Sequence, residues 1–412
     1  MTSRWWIVVA CVLGLLVGNG PVMQFTIGTL LPPITREFGW TRGTVSSAMV
    51  IGLWVTGIVT PLFGRLVDRF GIRAVALPAI LLFSVATASI ALLPKSPAAL
   101  AALYAVMGLG ATAQTPLIYS KAISIRFDHQ RGLALGIAIA GVGLGAVLVP
   151  QFAQALIGIG GWRLAFAGLG ALVFFLAFPS VALFVGRPLG KRNAVAHRVS
   201  SAGLPGITGV EALRGSRFWS LAFSFFIVAG TTGGVISHLV PLLSDRGISA
   251  QTATSMVSIA GIAMIAGRLL AGYLLDRLHA PYVAVVFFLA PLAGIIVLLS
   301  TSKPEGAAIA TILVGMGIGA EVDLIAFLLS RYLGMRSFGE IYGYFFSIFM
   351  LGAGLGPLMM GISFDRTGSY KLMLLCFAAA LMFASLPLLR LGAYAYPIHH
   401  KAGPEAVPLP AQ

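Results

Sequence analysis

The sequence AMIAGRLLAGYLLDRL, residues Ala263–Leu278, predicts an apolar helix with one arginine in its middle. Arg268 precedes Asp276 by eight residues, which places it about 12 Å along the helix from the charged end, at ~1.5 Å per residue. A cation at that depth is unfavourable in hydrocarbon, and such residues usually face a bundle interior or a water-filled cavity. Arg268 is therefore the first candidate for a functional residue.

The composition around this stretch is that of a membrane protein. The chain has 412 residues, of which 58% are hydrophobic and 9% charged, and its mean hydropathy is +0.97. Soluble domains carry about 25% charged residues, whereas runs of about 20 apolar residues span a bilayer as helices. The sequence predicts an all-α membrane protein surrounded by a lipid bilayer.

Several function classes are excluded by what the sequence lacks. The formal net charge is +15, but the basic residues do not form the basic and aromatic clusters of a nucleic-acid surface. Cys11 and Cys376 lie in apolar segments, which indicates neither a disulfide framework nor a metal site. The sequence shows no nucleophile with a nearby base, no phosphate-binding loop and no metal-ligand cluster. We expect no enzyme, no metal, no cofactor and no nucleic-acid partner.

Twelve apolar segments are long enough to span a bilayer, and one long hydrophilic connection divides them into two groups of six. The expected organisation is an N-terminal six-helix bundle in 1–186, an inter-bundle loop in 187–216, a C-terminal six-helix bundle in 217–394 and a tail in 395–412. The predicted spans are 5–31, 43–66, 73–93, 97–120, 131–157, 161–186, 217–243, 251–275, 281–301, 305–330, 337–362 and 371–394.

Lysine and arginine are distributed unevenly between the two sides of these spans. Eighteen lie in the segments on the side of the N-terminus and eight on the opposite side. Cytoplasmic loops collect Lys and Arg. The bias predicts a multi-pass protein of the inner or plasma membrane, with both termini and the 187–216 loop in the cytoplasm.

The two halves repeat when the chain is shifted by 208 residues without gaps. In that register Arg268 stands opposite Thr60, so the arginine is a feature of one half. Parallel repeats of this kind predict a substrate site between the halves near the midplane of the membrane. The matched pairs are Pro33 with Pro241, Glu37 with Asp245, Gly39 with Gly247, Thr41 with Ser249, Thr44 with Thr252, Gly64 with Gly272, Asp68 with Asp276 and Arg69 with Arg277.

These features resemble the major facilitator superfamily over nearly the whole chain. GRLVDRFGIR (Gly64–Arg73) resembles the family signature between spans two and three, and GYLLDRL (Gly272–Leu278) is its counterpart in the second half. The resemblance implies gating by Gly64, Asp68 and Arg69, and by Asp276 and Arg277. Asp68 could face the positive N-terminal end of span eleven; the alternative is an anchor of solvated loop charges.

Four further segments are similar to the monocarboxylate porter and oxalate–formate antiporter branch of that superfamily. In that branch an arginine of span eight binds the substrate carboxylate, and Arg268 matches its position. Met264 stands where some of these porters place an aspartate, and no lysine lies between Phe338 and Ile362, so one cation suits a monoanion. The segments are Arg131–Gly145, Gly161–Phe166, Ser330–Gly343 and Leu351–Tyr370.

The sequence predicts two acidic residues near Arg268. Its planar guanidinium suits a carboxylate substrate, although a permanent structural pair with an acid is the alternative. Glu321 and Asp323 of span ten lie at a similar depth and are the candidate proton carriers; their spacing of two puts them about 200° apart on the helix, so we expect one to face the cavity. An unperturbed histidine titrates near neutral pH, so His238 is either an outer gate or an ordinary buried histidine.

Other polar residues could complete the site, although each alone is more often a helix-packing contact. Asn19 is flanked by Gly18, Gly20 and Pro21, which predicts a break or bend in span one. The candidates for substrate binding beside Arg268 are Asn19, Gln24, Gln114, Tyr119, Tyr344 and Ser347.

The sequence therefore predicts a secondary transporter of small organic anions, specifically monocarboxylates. We expect it to be a proton symporter that works as a monomer. The alternatives are an organic anion exchanger and an exporter of amphipathic compounds. A receptor that resembles a transporter is disfavoured, because the 187–216 loop contains no recognisable output domain.

Overall fold

A computed structural model of the chain describes residues 5–124, 127, 131–185, 205–301 and 303–396. Within these residues the only β contact is an isolated bridge between Gly206 and Gly334. Eleven helices of the described part are long and apolar enough to cross a membrane. One of them, Leu133–Phe184, contains two predicted spans, since its backbone leaves helical geometry at Gly160 and Gly161. The predicted all-α membrane fold is confirmed.

The helices follow one another with short connections. A π-helical turn, Gly20–Phe25, lies between α1 and α2, and short 3₁₀ turns cover Ile90–Leu92 and Thr112–Gln114. The α-helices are α1 Trp5–Leu16, α2 Ile27–Phe38, α3 Arg42–Phe70, α4 Ile72–Ser89, α5 Pro97–Ala111, α6 Pro116–Ser124, α7 Arg131–Phe184, α8 Gly209–Arg214, α9 Ser216–Ser244, α10 Ala250–Leu275, α11 Ala280–Ser300, α12 Pro304–Tyr332, α13 Phe338–Thr367 and α14 Lys371–Leu389.

Two buried apolar cores organise these helices. One core is built from residues between Ile7 and Val185, and the other from residues between Ala212 and Leu391, with Phe25 and Ala146 reaching into it from the first half. Each core is closed by its own helices, so the chain consists of two packed halves with an interface between them.

The 208-residue repeat marks the same local structure in both halves. Thr41 caps α3 by accepting a hydrogen bond from the Thr44 backbone N–H at 3.2 Å. Its counterpart Ser249 caps α10 by accepting one from Thr252 at 3.1 Å. The preceding glycines, Gly39 and Gly247, both have positive φ (70° and 85°), a conformation that glycine adopts without steric cost.

The distal face of the bundle, the end at which α3 and α10 begin, is closed by contacts between the halves. Arg42 of α3 pairs with Asp245 after α9, and Ser46 bonds to His238 of α9 at 3.1 Å. Gln151 of α7 donates to Ser255 and Ser258 of α10 at 3.2 and 3.1 Å. These contacts hold α3 and α7 against the second half.

The terminal face, the end at which α1 begins and α14 ends, is less tightly joined. Along α3 and α13, the described hydrogen bonds that join the halves extend from the distal face only as far as Gly57 and Ser347. Beyond that level, a methyl group added at Gly64 or Gly343 would meet no atom within 4 Å. The halves therefore separate towards the terminal face.

Candidate functional site

A cavity lies between the two halves, beside the break in the first span. It encloses about 860 Å³, counting the part that is open to solvent. Apolar side chains form most of its wall, among them Phe25, Leu53, Phe349 and Met350. Its polar and charged lining residues are Asn19, Gln24, Gln114, Thr115, Thr232, Arg268 and Glu321.

Arg268 projects from α10 into this cavity because α10 and α12 approach each other through glycines. A methyl group at Gly267 would collide with the backbone of Met316, and one at Gly319 with the backbone of Met264. The close approach lets Arg268 Nε donate to the Gly319 carbonyl oxygen at 3.3 Å. Substitution of either glycine would separate the two helices.

The Arg268 guanidinium is paired with an acid but is not saturated. Its Nε lies 3.1 Å from Asp323 Oδ2, within ion-pair distance, while the N–H is better aligned with the Gly319 carbonyl. Among the described residues Arg268 Nη1 has no hydrogen-bond partner, and the side chain is 14% exposed. The guanidinium therefore keeps unused hydrogen-bonding capacity at Nη1, an atom that is itself buried.

Glu321 and Asp323 take different surroundings, as their spacing predicts. Glu321 lines the cavity and is 4% exposed, whereas Asp323 reaches sideways to Arg268. The Thr232 hydroxyl lies 2.9 Å from Glu321 Oε1 and 2.8 Å from the Val228 carbonyl oxygen. A hydroxyl has one hydrogen, so it donates either to the carboxylate or to the helix carbonyl.

The first half contributes to the cavity wall the side-chain amides of two residues that lie where the backbone leaves α-helical geometry. Asn19 precedes the π-helical turn in the break that the sequence predicts, and Gln114 ends the 3₁₀ turn before Pro116. Tyr119 lies behind this wall: its hydroxyl donates to Gln114 Oε1 at 2.6 Å. Gln24 also lines the cavity, whereas Tyr119 supports it without lining it.

Tyr344 and Ser347 of α13 do not line the cavity, which corrects their place in the predicted site. The lining face of α13 carries Phe346, Phe349, Met350 and Ala353, at helical spacings of three, four and seven. The Tyr344 hydroxyl donates to Glu340, and Ser347 donates to the Gly57 carbonyl oxygen of α3 at 2.9 Å. Both residues lie on other faces of the helix.

His238 belongs to the distal face. It is fully buried, with Nδ1 3.0 Å from the Tyr370 hydroxyl and Nε2 2.9 Å from the Pro357 carbonyl oxygen. Ser46 of the first half is a third neighbour at 3.1 Å. The histidine thus connects three helices of both halves and lies outside the cavity wall.

The signature residues lie at the ends of α3 and α10. Arg69 is exposed, with its guanidinium 5.1 Å from the Phe70 ring, and Arg277 lies 3.6 Å from the Tyr273 ring. Asp276 is the exposed C-cap residue of α10. The side chain of Asp68 lies outside the described part of the structure, as do residues 187–204 of the expected loop and 397–412 of the expected tail.

Sequence reasoning missed a cluster around Arg42 at the distal face. Besides pairing with Asp245, Arg42 donates to the Tyr370 hydroxyl at 2.6 Å, and its guanidinium lies 3.8 Å from the Phe364 ring. Asp365 accepts hydrogen bonds from the Arg42 and Gly43 backbone N–H groups at 3.0 and 2.7 Å. The match of Asp245 with Glu37 in the repeat was the one signal that an acid matters here.

Known proteins similar to this chain agree with this architecture. Monocarboxylate transporter 11 of Mus musculus is 27% identical over 365 residues, covering 84% of this chain and 78% of its own length. Monocarboxylate transporter 13 of Bos taurus is 27% identical over 376 residues, covering 89% and 84%. The solved structure of a bacterial homolog to the human lysosomal transporter Spinster, in an inward-facing and occupied conformation, has the same fold: its TM-score is 0.66 at 18% identity, over 94% of this chain and 96% of that one.

The family model of the Major Facilitator Superfamily matches residues 13–357, which is most of the chain. That match covers both halves of the cavity, from α1 to α13, and confirms the resemblance carried by the signature at Gly64–Arg73. The chain therefore belongs to the Major Facilitator Superfamily and is a transporter rather than an enzyme.

Proposed function

We propose that the protein carries small organic monocarboxylates across a cell membrane together with a proton. The observation that supports this most directly is Arg268 beside the cavity: a part-buried guanidinium, paired on one side with Asp323 and unpartnered at Nη1 among the described residues. Arginine is always charged and binds carboxylates through a planar fork of donors. The names of the similar monocarboxylate transporters support the same substrate class.

Asp323 gives this site a means of coupling to protons. Asp323 pairs with Arg268, and an arriving carboxylate would compete for the same guanidinium. The Asp323 side chain is 31% exposed, and a part-buried carboxylate that loses its cation binds a proton more readily. Substrate and proton would therefore bind together.

Glu321 is the second proton carrier that we consider, because it faces the cavity itself. When the Thr232 hydroxyl donates to the Val228 carbonyl, its oxygen is free to accept from a protonated Glu321; when Glu321 is ionised, the hydroxyl turns to donate to it. The Thr232 hydroxyl thus satisfies both protonation states. This arrangement allows Glu321 to gain and lose a proton without leaving a buried group unpaired.

The transport cycle is alternating access by the two halves. The excess of lysine and arginine on the terminal face supports a cytoplasmic location for that face and for both termini. In that orientation the structure is closed to the outside by the Arg42 cluster and is separated towards the cytoplasm. We propose a monomer as the functional unit, since both halves of the cavity come from one chain.

A second function, exchange of organic anions or export of amphipathic compounds, is favoured by the largely apolar cavity wall. An exchanger would share the Arg268 carboxylate site but would require no net proton movement.

The test is proton movement into proteoliposomes that contain a trapped pH dye. Monocarboxylates and dicarboxylates are added in turn to liposomes with the wild-type protein or Arg268→Ala. Internal acidification that requires a monocarboxylate and Arg268 supports proton symport. Exchange of preloaded carboxylate without acidification would support the exchanger. Neither acidification nor exchange with any of the carboxylates would overturn the carboxylate site.

A further inference from the structure

The wall that the first half contributes to the cavity contains two amides with unpaired atoms. Asn19 is 7% exposed and Gln114 is 1% exposed, and both line the cavity. Among the described residues, Asn19 Oδ1 and Gln114 Nε2 have no hydrogen-bond partner. A buried polar group left unpaired is destabilising, so such atoms usually meet a partner that arrives with water or ligand.

The orientation of the Gln114 amide is fixed by Tyr119, on the side away from the cavity. The Tyr119 hydroxyl donates to Gln114 Oε1 at 2.6 Å, and Tyr119 itself is packed against Gly14, where any side chain would collide with the ring. With its oxygen engaged, the free group of Gln114 is the Nε2 donor. Asn19 Oδ1 supplies an acceptor, so together the two amides offer a donor and an acceptor.

The charges of the cavity lie on the opposite wall. Its charged lining residues, Arg268 and Glu321, both belong to the second half, and the lining residues from the first half are all uncharged. The rest of the lining is largely apolar, with Leu53, Phe346 and Phe349 among its members. A ligand that contacts both halves would therefore meet charged groups on one side, neutral hydrogen-bonding groups on the other, and apolar side chains elsewhere.

We propose that the substrate carries a neutral group that both donates and accepts hydrogen bonds, such as a hydroxyl, separated from its carboxylate by an apolar body. This inference rests on the proposed carboxylate site at Arg268 and defines the substrate class further. A hydroxyl donates to Asn19 Oδ1 and accepts from Gln114 Nε2. A second carboxylate at that end would lose its hydration against uncharged groups, so dicarboxylates are disfavoured.

Such a substrate contacts both halves at once. The carboxylate is held by the second half at Arg268, and the hydroxyl by the first half at Asn19 and Gln114. A ligand that binds both walls stabilises the state in which the walls are close, in proportion to its extra affinity for that state. The neutral group would therefore promote closure as well as selectivity.

The experiment compares two probes that differ in one group. The purified full-length protein is titrated with 3-(4-hydroxyphenyl)propanoate and 3-(4-methylphenyl)propanoate, and affinity is taken from the ligand-dependent rise of the unfolding temperature. 3-Phenylpropanoate and butanoate are included as simple monocarboxylates. A neutral hydrogen bond corresponds to a factor of roughly 2–10 in affinity, so we expect the wild-type protein to prefer the hydroxyl probe by about that factor.

Variants assign the preference to the two amides. Asn19→Leu and Gln114→Leu are expected to bring the ratio of the two affinities to one or below, and Tyr119→Phe to reduce it in part, since that change frees Gln114 to rotate while keeping the ring. Gln251→Leu is the matched control: Gln251 is exposed at the distal face, donates to Gln151, and its loss should leave the ratio unchanged. The unfolding temperature without ligand shows that each variant is folded.

Equal affinity for the two aromatic probes in the wild-type protein, or a preference that survives all three cavity variants, would overturn the inference. The same holds if the simple monocarboxylates bind in an Arg268-dependent way and neither substituted probe does. A protein that binds all four acids equally well with Arg268→Ala would instead overturn the proposed function. The two failures are therefore distinct.

Discussion

Arg42 and Asp245 join the two halves of the transporter through a paired set of hydrogen bonds: Nη1 lies 2.7 Å from Oδ2, and Nη2 lies 2.8 Å from Oδ1. The arginine begins α3 and the aspartate follows α9, so 203 residues separate them in the chain. A guanidinium that meets a carboxylate with both nitrogens gains geometric specificity as well as energy. The pair can form only when the distal ends of the halves are in contact.

The first half contains the counterpart of this cluster, but without a contact between halves. Glu37, which matches Asp245 in the repeat, accepts hydrogen bonds from Trp162 and Arg163 of the same half. Trp162 stands 208 residues before Tyr370, which bonds to Arg42. One repeat thus uses its acid for internal packing, and the other uses it to bind the opposite half.

Removal of the Arg42 side chain should open the distal face. We expect Arg42→Ala to increase labelling of Gln24→Cys by a membrane-impermeant maleimide added from the distal side, in a Cys376→Ser background. An ion pair of about 1 kcal/mol corresponds to roughly a fivefold change in the balance of states. Arg36→Ala, an exposed arginine of the same face, is the control. The double variant Arg42→Asp with Asp245→Arg, which swaps the two charges, should restore low labelling. Equal labelling of wild type and Arg42→Ala would disprove a closing role for the pair.

The substrate site predicts a sharp difference between arginine and lysine at position 268. Arg268→Ala should abolish monocarboxylate transport, and Arg268→Lys should retain no more than about a tenth of it, because an ammonium lacks the planar fork. Initial rates of uptake into proteoliposomes measure both. Arg366→Lys, an exposed arginine at the end of α13, should transport normally. Wild-type rates in folded Arg268→Ala would show that the carboxylate binds elsewhere.

Proton coupling should depend on Glu321 or Asp323. The variants are Glu321→Gln and Asp323→Asn, and the one that removes the carrier should still exchange substrate. Its accumulation of substrate under a pH gradient should fall to equal concentrations on both sides, because the neutral amide cannot release a proton. The measurement is the ratio of accumulation to exchange under an imposed pH gradient. Glu305→Gln, at the exposed start of α12, is the matched control. Full accumulation in both amide variants would exclude these two residues as carriers.

Thr232→Val tests which acid is the carrier. Valine keeps the shape of threonine but removes the hydroxyl that faces Glu321. If Glu321 carries the proton, the variant should shift the pH dependence of accumulation, and Thr231→Val, whose hydroxyl donates to Val228 within α9, should not. An unchanged pH profile in Thr232→Val would favour Asp323.

Stability should depend on pH through Glu37, which lies in α2 beyond the first span. Hydrogen bonds from Arg163 and Trp162 hold the pKa of the Glu37 carboxyl below its ordinary value. A carboxyl with a lowered pKa in the folded protein stabilises it above the pKa of the unfolded chain, about 4.3, and this contribution is lost as the pH falls through the lowered value. Glu37→Gln should therefore lower the unfolding temperature by about 1 °C at pH 7, since the pair is exposed. The difference from wild type should shrink as the pH falls through the lowered pKa of Glu37. A difference that grows in acid would contradict this assignment.

The sequence was sufficient for the helices and for bringing Arg268 together with Asp323 near the cavity. The intramembrane position of Arg268, the two acids at a similar depth and the break at Asn19 all follow from spacing and from the energetic penalty of a charge in hydrocarbon. The repeat predicted equivalent helix starts, because Thr41 and Ser249 cap their helices in the same way.

The rotation of each helix about its axis could not be predicted in the same way. Tyr344 and Ser347 are polar and lie at a suitable depth, but α13 is rotated so that Gly352 and Gly356 meet the backbone of α9. That packing turns Phe346 and Phe349 towards the cavity instead. The Arg42 cluster was missed because it depends on contacts between residues about 200 or more positions apart and on one conformational state.

The glycine contact between α9 and α13 also has a mechanical consequence. A side chain at Gly356 would overlap the backbone of Gly230, so the two helices touch without any side chain that could yield between them. We expect the two helices to move as one unit. The pair carries Met350 in the cavity wall and Asp365 in the Arg42 cluster, fifteen residues or about 22 Å apart along α13 and on either side of Pro357. If the unit moves as a rigid body, a displacement at the cavity also displaces the distal face, and substrate loading and opening of that face are parts of one movement.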